Sequence, residues 1–277
     1  MGALRFWLIG VAALCAAAGV HADDRGLHRV QPVASPDAGA TQPRALLGTT
    51  ISGKDERRPA DSTLWPWIAI GRLNREVGGH CTAVLIGPKQ VLTAAHCLYN
   101  SRDGRWTIPS EVHFVAGYSR GAYAAHAVAT RFTVDPRYDP RRPTRPRSMS
   151  RDWAILELAS AVDLKPIPLS NRSLFDIMGA ARSGELNVAG YAADYAEILL
   201  RHQGCQLLGE SSDVPLLVHR CDVTYGVSGA PLLLLEQGRA EIIGINNAVA
   251  DTDKGTIATA VPVWAFAPRV SGSLSAR

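Results

Sequence analysis

The sequence predicts an all-β protein of two six-stranded antiparallel β-barrels closed by a short C-terminal helix. Three observations carry this. Short apolar runs recur along the chain, split by Gly/Pro clusters, which is the pattern of sandwiches and barrels. They fall into two sets of about six, divided near Asp163 to Ser173. The 277 residues, 47% of them hydrophobic, suffice for one large or two small domains with a sizeable core.

The first set opens with the strand-like stretch Trp65 to Leu73, after a turn. Cys81 to Ile86 is next, then the turn Gly87-Pro88-Lys89-Gln90 and the strand Val91 to Ala95. Glu111 to Gly117, Ala125 to Val134 and Trp153 to Leu158 continue the series. The second set comprises Leu186 to Tyr191, Val214 to His219, Leu232 to Leu235, Glu241 to Ile245 and Thr256 to Val261. Pro262 to Phe266 opens the terminal helix. The barrels are expected over residues 61–162 and 174–263, within one domain at 61–270 that leaves a tail at 271–277.

Residues 1–22 have the form of a secretory signal. Arg5 precedes the apolar run Leu8 to Val20, and Val20-His21-Ala22 offers small residues at the cleavage positions. That run is too short to span a bilayer comfortably, and no other stretch could. Lipid attachment at Cys15 is disfavoured by Leu14, which stands where a small residue is wanted. A secreted or periplasmic protein without a stable membrane anchor is expected. Residues 23–60, rich in Pro, Gly, Ala, Ser and Arg, read as a flexible arm or a pro-segment. Arg57-Arg58 is a candidate processing site within it.

Charged residues make up 19% of the chain and the net charge is +4. The first figure argues against disorder, and the second is too small and diffuse for nucleic-acid binding. Beyond the signal there are four cysteines, Cys81, Cys97, Cys205 and Cys221. An even count in an exported chain suggests two disulfides. Three pairings are possible. The sequence-local one closes loops of about 16 residues, each contributing roughly 3 kcal/mol. A zinc site lacks any C-x-x-C or H-E-x-x-H spacing.

The chemistry centres on Tyr225-Gly226-Val227-Ser228-Gly229-Ala230-Pro231. Glycine flanks allow a tight turn that exposes one hydroxyl. A serine needs a base, and the base an orienting group. His96, in Val91-Leu92-Thr93-Ala94-Ala95-His96-Cys97, stands at the end of an apolar strand. Asp152, in Ser150-Arg151-Asp152-Trp153-Ala154-Ile155-Leu156, stands just before another. No histidine follows Ser228, so the Ser…Asp…His order of α/β-hydrolases is excluded. The order His96…Asp152…Ser228 is that of the chymotrypsin type. His80, His113, His126, His202 and His219 show no ligand spacing and read as structural or exposed.

L-T-A-A-H-C at 92–97, D-W-A-I-L at 152–156 and G-V-S-G-A-P at 226–231 resemble the trypsin-like serine proteases of the chymotrypsin fold. Trp65-Pro66-Trp67 with Ile70-Gly71-Arg72 resembles the opening strand of their bacterial branch, which includes glutamyl endopeptidases. The resemblance implies perpendicular barrels with the site in the cleft between them, and a Cys81–Cys97 bridge. It implies an endopeptidase working through an acyl-enzyme, with Ser228 as nucleophile, His96 as base and Asp152 orienting it. Backbone N–H groups of Gly226 and Ser228 would form the oxyanion hole. No metal or organic cofactor is implied. The partner would be a protein or peptide substrate, met by a monomer. A silent homologue that binds proteins through the old cleft is the alternative.

The chain departs from the family in places. Val227 replaces the aspartate that receives a new N-terminus in digestive proteases, and no Ile-Val-Gly-Gly start is present. Activation through a buried N-terminal ion pair is therefore not expected. Asp222, six residues before Ser228, reads either as a pocket carboxylate selecting Arg or Lys, or as a turn residue. Asn246 or Asn247 stands where Glu-specific relatives carry histidine, so strong Glu preference is not expected. Gly255 and Thr256 are expected on the opposite pocket wall. Asp135 to Arg147, with five arginines and four prolines, reads as a stiff solvated loop or as an exosite for acidic substrates.

Overall fold

A computed structural model describes residues 28–29, 49–51, 54–252 and 255–274. The signal segment, Cys15, most of 23–48 and the last three residues lie outside them.

The first half is a closed barrel of six antiparallel strands. These are β1 (Ile70–Arg75), β2 (His80–Gly87), β3 (Gln90–Thr93), β4 (Val112–Ala116), β5 (Ala125–Val134) and β6 (Ala154–Leu158). Around the ring the order is β5-β6-β3-β2-β1-β4. The alternating pattern of Val, Ile and Leu explains the closure. Ile70, Leu73, Val84, Leu92, Phe114 and Leu156 all turn inward and are essentially fully buried. A ring leaves no sheet edge open.

The second half begins with a helix, α1 (Leu174–Arg182), capped by Ser173, whose hydroxyl accepts the Asp176 N–H at 3.2 Å. Strands follow: β7 (Leu186–Gly190), β8 (Leu200–Gln203), β9 (Leu207–Glu210), β10 (Leu217–His219), β11 (Pro231–Glu236), β12 (Arg239–Thr252) and β13 (Gly255–Pro262). With Arg58–Pro59 they make one eight-stranded sheet, in the order β9-β10-β13-β12-β11-β7-β8-Arg58–Pro59. The strand count exceeds six for two reasons. The segment between Tyr191 and Val214 contributes β8 and β9, whose mixed polar sequence hides them. The arm contributes the last edge by pairing with Leu200 and Arg201. The chain ends in a single turn at Val263–Ala265 and α2 (Ala267–Leu274).

One buried apolar cluster runs from the first half into the second, and another lies within the second half. Trp153 from the first packs on Phe266 from the second, with ring centroids 6.3 Å apart and both rings buried. Tyr191 hydroxyl donates to the Tyr118 carbonyl at 2.9 Å across the seam. Disulfides join Cys81 to Cys97 and Cys205 to Cys221, which is the sequence-local pairing.

At its described residues 49–51 and 54–60 the arm, expected as a flexible segment or a pro-segment, is bonded to the second half. Thr50 donates its hydroxyl to the Cys221 carbonyl at 2.6 Å and its N–H to the Val223 carbonyl at 3.1 Å. Ala60 N–H bonds the Leu199 carbonyl at 2.9 Å. Arg57 is buried, with 4% of its side chain exposed, while Arg58 beside it is exposed. Backbone hydrogen bonds and a buried side chain, neither visible as periodicity, explain the difference.

Leu92 is fully buried between Val84 and Ile155 and carries the strand that leads to His96. Leu92→Ala removes core volume that the closed ring cannot refill. Urea denaturation should show a loss of about 2–5 kcal/mol with an unchanged m-value.

Candidate active site

His96 lies in the single turn Ala95–Leu98 at the end of β3. The turn is fixed at both ends: Thr93 hydroxyl donates to the Thr82 carbonyl at 2.8 Å, and Cys97 is tied to Cys81. Asp152 follows the helical turn Pro146–Met149, bonding its N–H to the Met149 carbonyl at 3.1 Å, and leads into β6. Pairing of β3 with β6 sets Thr93 opposite Ala154 and so brings the two side chains together.

The Asp152 carboxylate is only 4% exposed, yet both its oxygens are used. One accepts His96 Nδ1–H at 2.7 Å and the other the His96 backbone N–H at 2.8 Å. An oxygen acceptor at Nδ1 puts the neutral ring's proton there and leaves the Nε2 lone pair free. Burial pushes the His96 pKa down, but the Asp152 charge and its hydrogen bond outweigh this, and the value stands above the usual 6.5. Such an imidazole is a base with a defined accepting atom.

Ser228 comes from the second half, on a turn pinned to the first. Its carbonyl accepts the Thr82 N–H at 2.9 Å. The Cys97 sulfur lies 3.8 Å from that carbonyl oxygen and 3.9 Å from His96 Nε2, so serine and histidine flank the same disulfide. Ser228 hydroxyl makes no hydrogen bond to His96 among the described contacts, and such contacts commonly tighten only when substrate binds. Gly229 N–H bonds the Asn246 carbonyl at 2.7 Å. Gly229 has φ +79°, and a Cβ there would sit 2.1 Å from Thr93 Oγ1. Only glycine permits the turn to approach β3 so closely.

Gly226 is the second special position, with φ +84°. Its carbonyl accepts from Thr82 hydroxyl at 2.9 Å, and that hydroxyl accepts the Tyr191 N–H at 2.9 Å. His80 Nε2–H donates to the Tyr191 carbonyl at 3.0 Å, and burial pushes its pKa down to about 4, so it is a neutral donor at pH 7. Among the described hydrogen bonds, neither Gly226 N–H nor Ser228 N–H is used. Two free donors on one turn can receive a developing negative oxygen. Thr82 organises this turn, but nothing in the sequence marks it beyond its place after Cys81.

The residues expected in the specificity pocket fare differently. Of the two readings of Asp222, its bonds fit the structural one: its carboxylate accepts the Glu56 N–H at 2.8 Å, and its N–H bonds His202 Nδ1 at 2.8 Å. It anchors the arm instead of standing free for a basic side chain. Asn246 and Asn247 are both buried. Asn247 donates to the Met149 carbonyl at 2.8 Å and accepts from Thr259 hydroxyl at 2.8 Å, tying the second sheet to the turn before Asp152. Gly255 is corrected. The β12–β13 hairpin is longer than its apolar run, so Gly255 pairs with Thr252 at the exposed tip, while Ala260 is the residue opposite Asn246. Arg141, Arg142, Arg145 and Arg147 are exposed, as a solvated loop would have them.

Residues 81–245 match the trypsin-like peptidase domain, and the chain belongs to that family. Among curated relatives, glutamyl endopeptidase of Bacillus licheniformis is 25% identical over 204 residues, covering 72% of this chain and 58% of that protein. Human mannan-binding lectin serine protease 1 is 29% identical over 158 residues, covering 52% of this chain and 21% of that protein. The chain thus spans little more than half of the first relative's length and a fifth of the second's. Among solved structures, a Glu endopeptidase in complex with MPD shares the fold at a TM-score of 0.60 and 22% identity, covering 80% of this chain and 97% of that one.

The His96–Asp152 pair makes a checkable statement about protonation. With its folded pKa raised, His96 contributes stability that is complete below the free-histidine value near 6.5 and fades as pH climbs through the folded value. Asp152→Asn removes the raising charge. NMR titration of the His96 ring should then give a lower midpoint than in the wild type, and the acid-side stability advantage should disappear.

Proposed function

We propose that this chain is an exported serine endopeptidase that cleaves peptide bonds through an acyl-enzyme. The observation that carries the reading is a buried carboxylate holding the His96 ring by Nδ1, with Nε2 free beside the Ser228 turn. Ser228 Oγ attacks the substrate carbonyl as His96 Nε2 takes its proton. The resulting oxyanion is received by the N–H groups of Gly226 and Ser228, each worth about 3–4 kcal/mol in the transition state. His96 returns the proton to the leaving amine as the C–N bond breaks. A water molecule, deprotonated by the same nitrogen, then releases the acyl group. Asp152 stabilises the imidazolium formed in between. This route uses protein groups alone.

Export rests on the signal-like residues 1–22 and on two disulfides, which persist in oxidising compartments. For the residue before the scissile bond, the expected basic preference is not carried forward, because Asp222 is engaged by the arm. One relative bears the name glutamyl endopeptidase, which points to glutamate rather than to a basic residue.

A fluorophosphonate probe should label the protein at Ser228, and Ser228→Ala should abolish labelling while leaving the fold intact. Peptidase activity should rise with pH along the titration of His96, with a midpoint above 6.5. A profile flat from about pH 5 to 8 would remove His96 from the base role. A peptide library should show no preference for cleavage after Arg or Lys, and such a preference, lost in Asp222→Ser, would restore the basic-pocket reading of Asp222.

A further inference from the structure

Val227 raises a structural question, since it is buried and apolar where relatives that activate by an N-terminal ion pair carry an aspartate. The structure supplies a different ion pair at the same turn. Arg57, on the arm, sends Nη1 to Asp194 Oδ1 at 3.0 Å and Nη2 to Asp194 Oδ2 at 2.5 Å. This is the fork geometry in which guanidinium and carboxylate bind most strongly. The other side of the guanidinium is held by Asp55, through Nε at 3.0 Å and Nη2 at 2.8 Å. Thr224 completes the group. Its hydroxyl donates to Asp194 Oδ1 at 3.1 Å and lies 3.4 Å from Arg57 Nη1.

What Asp194 and Thr224 do next connects the pair to the chemistry. Ala193 N–H bonds the Tyr225 carbonyl at 2.7 Å, and Val227 N–H bonds the Thr224 carbonyl at 3.3 Å. The Tyr225 carbonyl and the Gly226 N–H belong to one peptide unit. That unit is planar and trans, so its C=O and N–H point in opposite directions. Fixing the carbonyl on Ala193 therefore fixes where Gly226 N–H points. The neighbouring arm bonds add to the same anchorage, with Thr50 on Cys221 and Val223, and Glu56 N–H on Asp222.

We propose that the arm at 49–60 is a built-in activator, and that Arg57 is the positioning residue that orients the Gly226 donor through Asp194 and Thr224. The proposal rests on the peptidase reading of the site. Arg57 touches neither substrate nor reacting atoms. It does for this turn, from within the chain, what a newly cut N-terminus does elsewhere, so cleavage between Arg57 and Arg58 would inactivate the enzyme rather than mature it.

The discriminating variant is Arg57→Ala. Asp194 is 43% exposed on its side chain and can be hydrated when its partner is lost, so the fold should survive. Removing Asp194 instead would leave the buried guanidinium with Asp55 as its remaining carboxylate partner, a harsher change than exposing a carboxylate to water. Peptide turnover by Arg57→Ala should show kcat lowered about 10²-fold, the scale of one lost oxyanion donor, with KM changed far less. Fluorophosphonate labelling should slow in parallel. Arg57→Lys should restore part of kcat, and Arg58→Ala, whose side chain bonds the Asp55 and Arg57 carbonyls among the described residues, should behave as wild type. Amide hydrogen exchange should accelerate at 192–195 and 224–228 in Arg57→Ala while the first barrel stays protected. Unchanged exchange at those segments, or a loss in KM alone, overturns the proposal. Should the wild type resist labelling altogether, the peptidase reading fails, and the exchange result still decides whether Arg57 holds the turn.

Discussion

One carboxylate fixes the geometry on which everything at the cleft depends. Asp152 is almost wholly removed from water, and a buried charge is tolerable only when its hydrogen-bonding capacity is met. His96 meets it twice, with ring and backbone. That double grip leaves the imidazole little freedom to rotate. It also requires β3 and β6 to be neighbours in register, and closure of the first barrel supplies that register. The arrangement of strands, the tautomer of the histidine and the direction of its free lone pair are thus a single structural fact.

The second half has a different task, which is to bring a turn within reach of that lone pair without crowding it. Glycines at 226 and 229 let the backbone pass where a Cβ would collide with Tyr191 or Thr93. Thr82, from the first barrel, then bonds the turn at the carbonyls of both Ser228 and Gly226. These bonds from backbone and short side chains act alongside the buried apolar cluster that runs from the first half into the second. Such bonds define positions tightly, which suits a site whose donors must be aimed before substrate arrives.

The sequence announces the parts of this design whose signals are local. His96, Asp152 and Ser228 each sit beside an apolar strand, so their places at strand ends are legible. The strands of the first barrel are legible for the same reason. Features made by distant partners are not. Arg57 and Asp194 lie 137 residues apart, and neither stands in a distinctive context. The strands β8 and β9 carry His, Gln, Arg and Glu, and so lack clean alternation. Asp222 shows the opposite hazard. Its spacing from Ser228 invites a pocket role, but a neighbouring segment takes up its carboxylate, and spacing alone cannot reveal that competitor. Gly255 fails similarly, because a hairpin can extend past its hydrophobic run when both strands continue to pair.

The arm has one more consequence, and it concerns time. A chain made from its amino end can complete the first barrel once residue 158 has emerged, since all six strands lie before that point. The arm cannot settle then, because its partners at 194, 199–201 and 221–224 do not yet exist. Long-range contacts of this kind form late, after loop closure has been overcome. The arm that aims the turn around Ser228 therefore settles only after the first barrel can have closed. A chain that stops short of those partners also stops short of Ser228, so the histidine and aspartate can be paired before the serine and the segment that orients its turn are present together.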